Sequence, residues 1–227
     1  MSGLRVATEA VLMHYRTPAG LVRAVDGVDL EIEAGSSVAI VGPSGCGKST
    51  LLGLIGGLEA PTSGRIWLDQ RELSALSEAG RAEVRRREIG FVFQSYDLLP
   101  FLTARENVAF QLALGGSSDH RNVDLLIERL GLAEHAEKLP DQLSGGQRQR
   151  VGIARALVHQ PRLILADEPT GELDTESSGS VMDLLIEARE SIGATLVVVT
   201  HDLEVAARLQ RTIALRDGRL EGVPVLA

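Results

Sequence analysis

The sequence predicts an α/β protein: a mostly parallel sheet core, an antiparallel β region before it and an all-helical lobe inserted into it. Three observations carry that expectation. Short apolar runs at Val38–Val41, Leu163–Ala166 and Thr195–Thr200 alternate with helix-length segments, as buried strands of a parallel sheet do. Residues from Leu4 to Ile32 alternate loosely between apolar and polar, with Gly20, Asp26-Gly27 and Gly35 as turn signals. From Ser95 to about Leu143 strand signals vanish and only helical periodicity is left.

Taken in order, Leu4–Ile32 reads as antiparallel strands and Val38–Val41 as a buried strand. A glycine-rich turn follows, then a helix over Ser49–Leu58 ended by Gly56-Gly57. Phe91–Phe93 is a short strand leading to Gln94. The helical lobe holds segments at Thr103–Leu114 and Val123–Leu130, split by Gly115-Gly116-Ser117-Ser118. The core resumes with a helix near Gln147–His159, the strand Leu163–Ala166, a helix at Ser177–Ser191 and the strand Thr195–Thr200. Asp217-Gly218 marks a hairpin within Arg211–Leu220. The expected organisation is one domain over 1–227, with a core of 1–94 and 150–227 and a lobe of 95–149.

Composition narrows the function classes. At 227 residues the chain supports one sizeable core with a lobe attached. No apolar stretch approaches the roughly 18–20 residues that cross a bilayer, and the N-terminus lacks the order of a secretory signal. A cytoplasmic protein is expected, with any membrane role supplied by a partner. The formal net charge of −8 argues against nonspecific nucleic-acid binding. Arg85-Arg86-Arg87 falls in a helical segment and reads as a solvated face. One cysteine, Cys46, excludes an intrachain disulfide framework. Of 23 basic residues only Lys48 and Lys138 are lysines. A chain that otherwise writes arginine keeps lysine at 48, where a compact charge on a slim stem fits and a planar guanidinium is too wide.

Gly42-Pro43-Ser44-Gly45-Cys46-Gly47-Lys48-Ser49, followed by Thr50, matches G-x-x-x-x-G-K-[ST] between a predicted strand and helix. Glycines let backbone N–H groups curl round phosphate oxygens, and the helix N-terminus adds partial positive charge. Lys48 is expected to reach the β- and γ-phosphates and Ser49 to hold Mg²⁺. Cys46 serves through its backbone, and its thiol, if exposed on the loop, is open to oxidation. Leu163-Ile164-Leu165-Ala166-Asp167-Glu168 is an apolar strand ending in two acids, at the sheet edge where ligands bind. Asp167 is the expected Mg²⁺ ligand and Glu168 the group that polarises the attacking water. Leu143-Ser144-Gly145-Gly146-Gln147 is a second glycine-rich turn opening a helix, hence a second anion site. An N-cap by Ser144 accounts for part of it but leaves Gly-Gly followed by Gln147 unexplained. One phosphate loop and one further phosphate-binding turn on different lobes suggest a head-to-tail dimer sharing each nucleotide.

With these motifs the sequence resembles the ATP-binding cassette family over essentially its whole length, which implies a phosphate-loop NTPase core with the β region and helical lobe above. By that resemblance Tyr15 stacks on adenine, Gln94 is the loop glutamine touching Mg²⁺ and water, and Gly171-Glu172-Leu173-Asp174 runs along the dimer seam. His201 is the switch histidine at the γ-phosphate, and Ser144, Gly145, Gly146 and Gln147 cap the partner's ATP. The implied activity is Mg-ATP hydrolysis by a homodimer, or by a dimer with a paralogous cassette. It powers a transmembrane permease, with the chain peripheral on the inner face of the membrane. Tyr96–Pro100, Thr103–Val108 and Ala166–Gly171 look most like the lipoprotein-releasing and macrolide-exporting branch. Glu172 departs from that branch's usual Asn and adds a negative charge near the seam. Two other functions stay open: a regulatory cassette gating a membrane signalling complex of the cell-division type, and a soluble ATPase of DNA maintenance. The acidic balance and the short spacing from Lys48 to Ser144 weigh against the last.

Overall fold

The computed structural model describes residues 3–18, 20–116, 121–171 and 175–221, the side chains of 175–177 excepted. The chain opens with β1 (Val6–Thr17), β2 (Gly20–Ile32), β3 (Ser37–Val41) and α1 (Lys48–Ile55). There follow β4 (Ser63–Leu68), β5 (Arg71–Glu72), α2 (Glu78–Glu88) and β6 (Ile89–Val92). The lobe holds α3 (Ala104–Leu114), α4 (Arg121–Arg129) and two 3-10 turns before α5 (Gly145–Leu157). The chain then continues through β7 (Leu163–Asp167), α6 (Thr175–Ile192), β8 (Thr195–Thr200), α7 (Leu203–Ala207), β9 (Arg211–Arg216) and β10 (Arg219–Glu221).

Two sheets result. The first is antiparallel in the order β2-β1-β4-β5. The second runs β10-β9-β3-β8-β7-β6, parallel throughout except for the edge hairpin β9–β10. Strands buried on both faces explain the unbroken apolar runs. Leu163, Leu165, Val197 and Val199 point into a core shared with α1 and the antiparallel sheet. Their neighbours Ile164, Ala166, Leu196 and Val198 point the other way, against α5, α6 and α7. A third cluster, built from Ala104, Val108, Val123, Ile127, Leu132 and Val151, holds the lobe together. Helix α5 belongs to two of these clusters and runs unbroken through 149 and 150, so lobe and core share it.

Some expectations needed revision. Asp26-Gly27 is no turn: it lies inside β2, where pairing slips from Leu12↔Asp26 to Val11↔Val28 and Gly27 sits at φ 76°. That is a bulge, with glycine supplying the left-handed residue. The strands β4 and β5 are not read from the sequence, because Ser63–Leu68 lacks a strong apolar pattern and β5 is only two residues long. The arginine run is not simply solvated, because α2 is wedged between the end of α1 and the end of α3. Arg85 donates to the Gly57 carbonyl and Arg86 Nη1 to the Leu114 carbonyl at 2.7 Å, while Arg87 pairs with Glu83 on the surface. At the tail, Asp217 and Gly218 both have positive φ, 48° and 77°, as a two-residue hairpin of primed type requires.

Just past α5, His159 Nε2 donates to the Ile89 carbonyl at 3.1 Å, while its Nδ1 is buried without a partner among the described residues. Burial lowers the ring's pKa, against the opposing pull of that hydrogen bond. The unfolded chain therefore binds a proton at a pH where the folded chain does not. Stability is complete above the ordinary histidine pKa and is lost as pH falls through the depressed one. Urea midpoints measured from pH 7.5 to 5 should fall for the native chain and fall less for His159→Gln, by about 1.4 kcal/mol per unit of depression. Parallel curves would remove His159 as the cause.

Candidate functional site

Four loops leave the carboxyl ends of β3, β6, β7 and β8, and each carries a residue singled out by the sequence. That shared edge is where parallel sheets bind ligands. The loop after β3 turns into α1 through Gly45 and Gly47, both left-handed at φ 78° and 105°. A Cβ on Gly47 would lie 1.9 Å from the Ala24 carbonyl oxygen, and one on Gly42 would lie 2.1 Å from that of Leu215. Only glycine fits at either position. The left-handed Gly47 caps α1 without any side-chain hydrogen bond, and the first turn holds no acidic residue. Its N–H groups are left for an anion.

Lys48 is 7% exposed, and its Nζ donates to the carbonyls of Gly42 at 2.9 Å and Pro43 at 3.2 Å. It also stands 4.0 Å from Glu168 Oε1. The ammonium is thus folded back over its own loop. Ser49 Oγ donates to Asp167 Oδ1 at 3.0 Å, bridging the loop and the end of β7. Burial pushes the Asp167 carboxyl above its ordinary range, and the adjacent Glu168 charge adds to this against the Ser49 hydrogen bond and Lys48. A hydroxyl and a carboxylate meeting beside the phosphate loop are hard oxygen donors. They fit Mg²⁺, which takes one or two such ligands and completes its shell with phosphate oxygens and water.

Glu168 breaks backbone custom, with φ at 43° in a non-glycine residue. Such a conformation costs about 1–3 kcal/mol and persists only where surroundings enforce it. Its carboxylate accepts from the buried Thr200 hydroxyl at 3.0 Å and from the His201 backbone N–H at 3.4 Å. The His201 ring completes the set, Nδ1 lying 2.9 Å from Oε1. With the carboxylate accepting, Nδ1 carries the proton. Gln94 lies across from this group, its amide 3.0 Å from where a Cβ on Gly171 would stand. No hydrogen bond among the described residues joins Gln94 to Ser49 or Asp167.

An open groove of about 510 Å³ extends from Gly45, Gly47, Lys48, Ser49 and Thr50 toward Leu21–Ala24, Asp217 and Gly218. Tyr15 is not part of its wall. It pairs across the sheet with Val22, which is, and its half-buried ring packs on the core with the hydroxyl donating to Glu59 at 3.0 Å. Burial, with Glu59 alongside, raises the phenol's pKa. The Cys46 thiol does not meet the condition for oxidation on the loop: it is 4% exposed and faces the core, because the loop presents its backbone to the groove. Pro43 and Ser44 lie on the same loop, as expected. Glu172, Leu173 and Asp174 lie outside the described residues.

The turn at Ser144 belongs to the lobe, not to this cluster. Ser144 Oγ accepts from Gln147 N at 3.3 Å, and Gln147 Oε1 accepts from Ser144 N at 2.9 Å. This capping box gives Gln147 the local reason that the sequence alone did not reveal. Gly145 and Gly146, between the two, form the first turn of α5. Sequence reasoning missed four contributors. His135 Nε2 lies 3.0 Å from Gln147 Nε2, Thr200 anchors Glu168, and the Gly218 N–H donates to the Cys46 carbonyl at 2.9 Å. The fourth is Gln149, which is 1% exposed and donates to the Pro169 carbonyl at 2.6 Å. A signal for it existed: a polar residue on the same helix face as Ile153 and Ala156.

The ABC transporter family matches residues 25–171. The lipoprotein-releasing system ATP-binding protein LolD of Legionella pneumophila (strain Paris) is 43% identical over 97% of this chain and 98% of its own. An uncharacterised ABC transporter ATP-binding protein of Thermotoga maritima is 47% identical, over 89% of this chain and 87% of its own. Among solved structures, the ATP-binding cassette MJ0796, a dimer in a post-hydrolysis state bound to ADP and Pi, superposes with a TM-score of 0.91. It is 41% identical over 98% of this chain and 99% of its own.

The Gly47 contact gives a direct check on the groove. Gly47→Ala has to move the loop off Ala24 or out of its left-handed turn, a strain of about 1–3 kcal/mol that weakens ATP binding roughly 5- to 150-fold. Titration with a fluorescent ATP analogue reads this, with circular dichroism verifying the fold. Native affinity in a folded variant would show that the phosphates bind elsewhere.

Proposed function

The chain belongs to the ABC transporter family as an ATP-binding and ATP-hydrolysing subunit, and from that premise we propose which residues do the work and on what partner. The observation that carries the proposal is a separation within one chain. The phosphate loop, Asp167, Glu168 and His201 meet at the sheet edge, whereas the Ser144 turn sits on the lobe's own hydrophobic cluster. Two copies, or this chain and a paralogous cassette, close head to tail, so that Ser144, Gly145, Gly146 and Gln147 of one cap the ATP held by the other. The dimeric form of MJ0796 supports that arrangement.

In each site, the α1 N-terminus and Lys48 bind the phosphates, the ammonium exchanging the Gly42 and Pro43 carbonyls for phosphate oxygens. Ser49, Asp167 and Gln94 would hold Mg²⁺, which would supply neutralisation of phosphate charge. Glu168 accepts a proton from the attacking water and His201 keeps its carboxylate aimed. Tyr15 stands next to the groove as the cross-strand neighbour of Val22, where the adenine would lie. The domain works as a core of 1–94 and 150–227 with a lobe of 95–149, the two joined rigidly by α5, which crosses that boundary.

The work is delivered to a transmembrane permease at the inner face of the membrane. A groove of about 440 Å³ between α2, β6 and α3 supports this. Its wall carries the stacked rings of Phe91 and Phe93, 5.5 Å apart, with Leu58, Phe110 and Leu114 exposed along it. It lies directly beside Gln94, so a cytoplasmic helix docked there feels any movement of that loop. Similarity to LolD supports a lipoprotein-releasing role over a purely regulatory one.

Two variants test the proposal. Glu168→Gln should slow phosphate release at least about 100-fold, as loss of a general base does, while retaining ATP and eluting as a dimer. Hydrolysis at the parent rate would sink the mechanism. Phe110→Glu should leave ATP turnover of the isolated chain within about twofold, since Phe110 is half-exposed on the groove and holds none of the residues that meet ATP, yet lose co-purification with the membrane subunit. Undiminished capture would place the docking surface elsewhere.

A further inference from the structure

Gln149 is a fully buried amide that satisfies only half of itself. Its Nε2 donates to the Pro169 carbonyl at 2.6 Å, while its Oε1 is buried with no hydrogen-bond partner among the described residues. A methionine or leucine would fill this position of α5 without stranding an acceptor away from water. The amide's use therefore lies in its donor, and the donor reaches the residue next to Glu168. Glu168 is the strained left-handed residue of the site, so its direction depends on what holds its neighbours. Thr200 and His201 hold its carboxylate from one side, and Gln149 holds the following carbonyl from the other.

The same helix begins with the Ser144 turn. From residue 144 to residue 149 is a rise of about 7.5 Å along a rigid rod, so the turn and the amide move together. Farther along, α5 grips a second loop. Arg148 lies over the Tyr96 ring at 5.4 Å, and Arg155 donates to the Asp97 carbonyl at 2.6 Å and the Tyr96 carbonyl at 3.0 Å. Tyr96 and Asp97 are both left-handed, at φ 61° and 46°, and follow Gln94 by two and three residues. One helix thus clasps the two strained loops that carry Glu168 and Gln94.

We propose that Gln149 is a positioning residue for Glu168, and that through it α5 reports whether the Ser144 turn is seated on the partner's ATP. This rests on the reading in which that turn caps the partner's nucleotide. The consequence is coupling between the two sites of a dimer. Each chain's carboxylate is aimed only when its own helix is seated on the other chain's ATP, so hydrolysis rises cooperatively with ATP concentration.

The test uses the full chain and two variants of matched size. Gln149→Met removes the donor, and Gln149→Glu turns an acceptor toward the Pro169 carbonyl. Turnover should fall about tenfold for Met and further for Glu, with KM for ATP within about twofold. The Hill coefficient should drop from above one in the parent to one in both variants. The Met variant should keep the parent's melting temperature within a few degrees, since it also removes the stranded acceptor. Parent-like turnover and cooperativity in the Met variant would overturn the proposal. So would an equal, joint loss of affinity and stability in both variants, the mark of a packing role. The dimer reading has its own arm. Should Glu168→Gln form no ATP-dependent dimer in size-exclusion chromatography and the parent show a Hill coefficient of one, the coupling falls. The fall in turnover on Gln149 substitution then judges the positioning of Glu168 alone.

Discussion

The phosphate loop touches both sheets at once, and the rest of the site takes its place from that contact. Gly47 lies against the Ala24 carbonyl of β2, Gly42 against Leu215 of β9, and the Cys46 carbonyl accepts from Gly218 in the β9–β10 turn. A side chain at either glycine would pry the sheets apart or unwind the loop. Because the loop is fixed this way, the α1 N-terminus and Lys48 are fixed as well. Ser49 and Lys48 then stand opposite Asp167 and Glu168 at the end of a neighbouring part of the same sheet. The antiparallel sheet is therefore no ornament beside the core. Together with the terminal hairpin it forms the wall that keeps the loop's N–H groups turned toward the groove. Asp26 ties that wall together, accepting from Arg219 at 2.8 Å and standing 3.3 Å from His14, with Arg219 foremost in holding its carboxyl below the ordinary range.

The core of the fold was legible in the sequence because burial on both faces of a parallel strand leaves no room for polar residues. The runs at Val38, Leu163 and Thr195 could hardly be anything else. The pieces that escaped notice are those whose structure is set by partners remote in sequence. β4 exists because Val6–Glu9 of β1 offers it an edge, not because Ser63–Leu68 has a strong pattern. The bulge at Gly27 looked like a turn, since glycine after aspartate announces a left-handed residue without saying whether the chain reverses there. The arginines of α2 looked solvated because carbonyls at the ends of other helices have no sequence signature.

The site divides along the same line. The residues proposed to meet nucleotide could be named, Lys48, Ser49, Asp167 and Glu168 from their motifs and His201 from the family resemblance. Residues that only hold those in place could not. Thr200 reads as the last residue of an apolar strand, and Gln149 as one polar letter in a helix. Their roles come from geometry, a hydroxyl 3.0 Å from a carboxylate and an amide 2.6 Å from a carbonyl. Tyr15 marks the opposite case, a residue named by resemblance whose ring packs on the core while its cross-strand neighbour Val22 lines the groove.

Helix α5 joins the lobe to the catalytic edge. Its first turn is capped by its own Ser144 and Gln147, so its N–H groups are already partly satisfied before any nucleotide arrives. The α1 terminus, by contrast, has no side-chain cap at all. The two anion sites are accordingly unequal. The uncapped one, backed by Lys48, suits tight binding within a single chain, whereas the capped one offers weaker attraction and a rigid attachment to the rest of the helix. A weak contact on a stiff lever is suited to sensing rather than holding. In the proposed dimer it would form and break with each round of hydrolysis. That asymmetry follows from a serine and a glutamine three residues apart, and in that reading it lets one chain bind ATP alone yet wait for a second before using it.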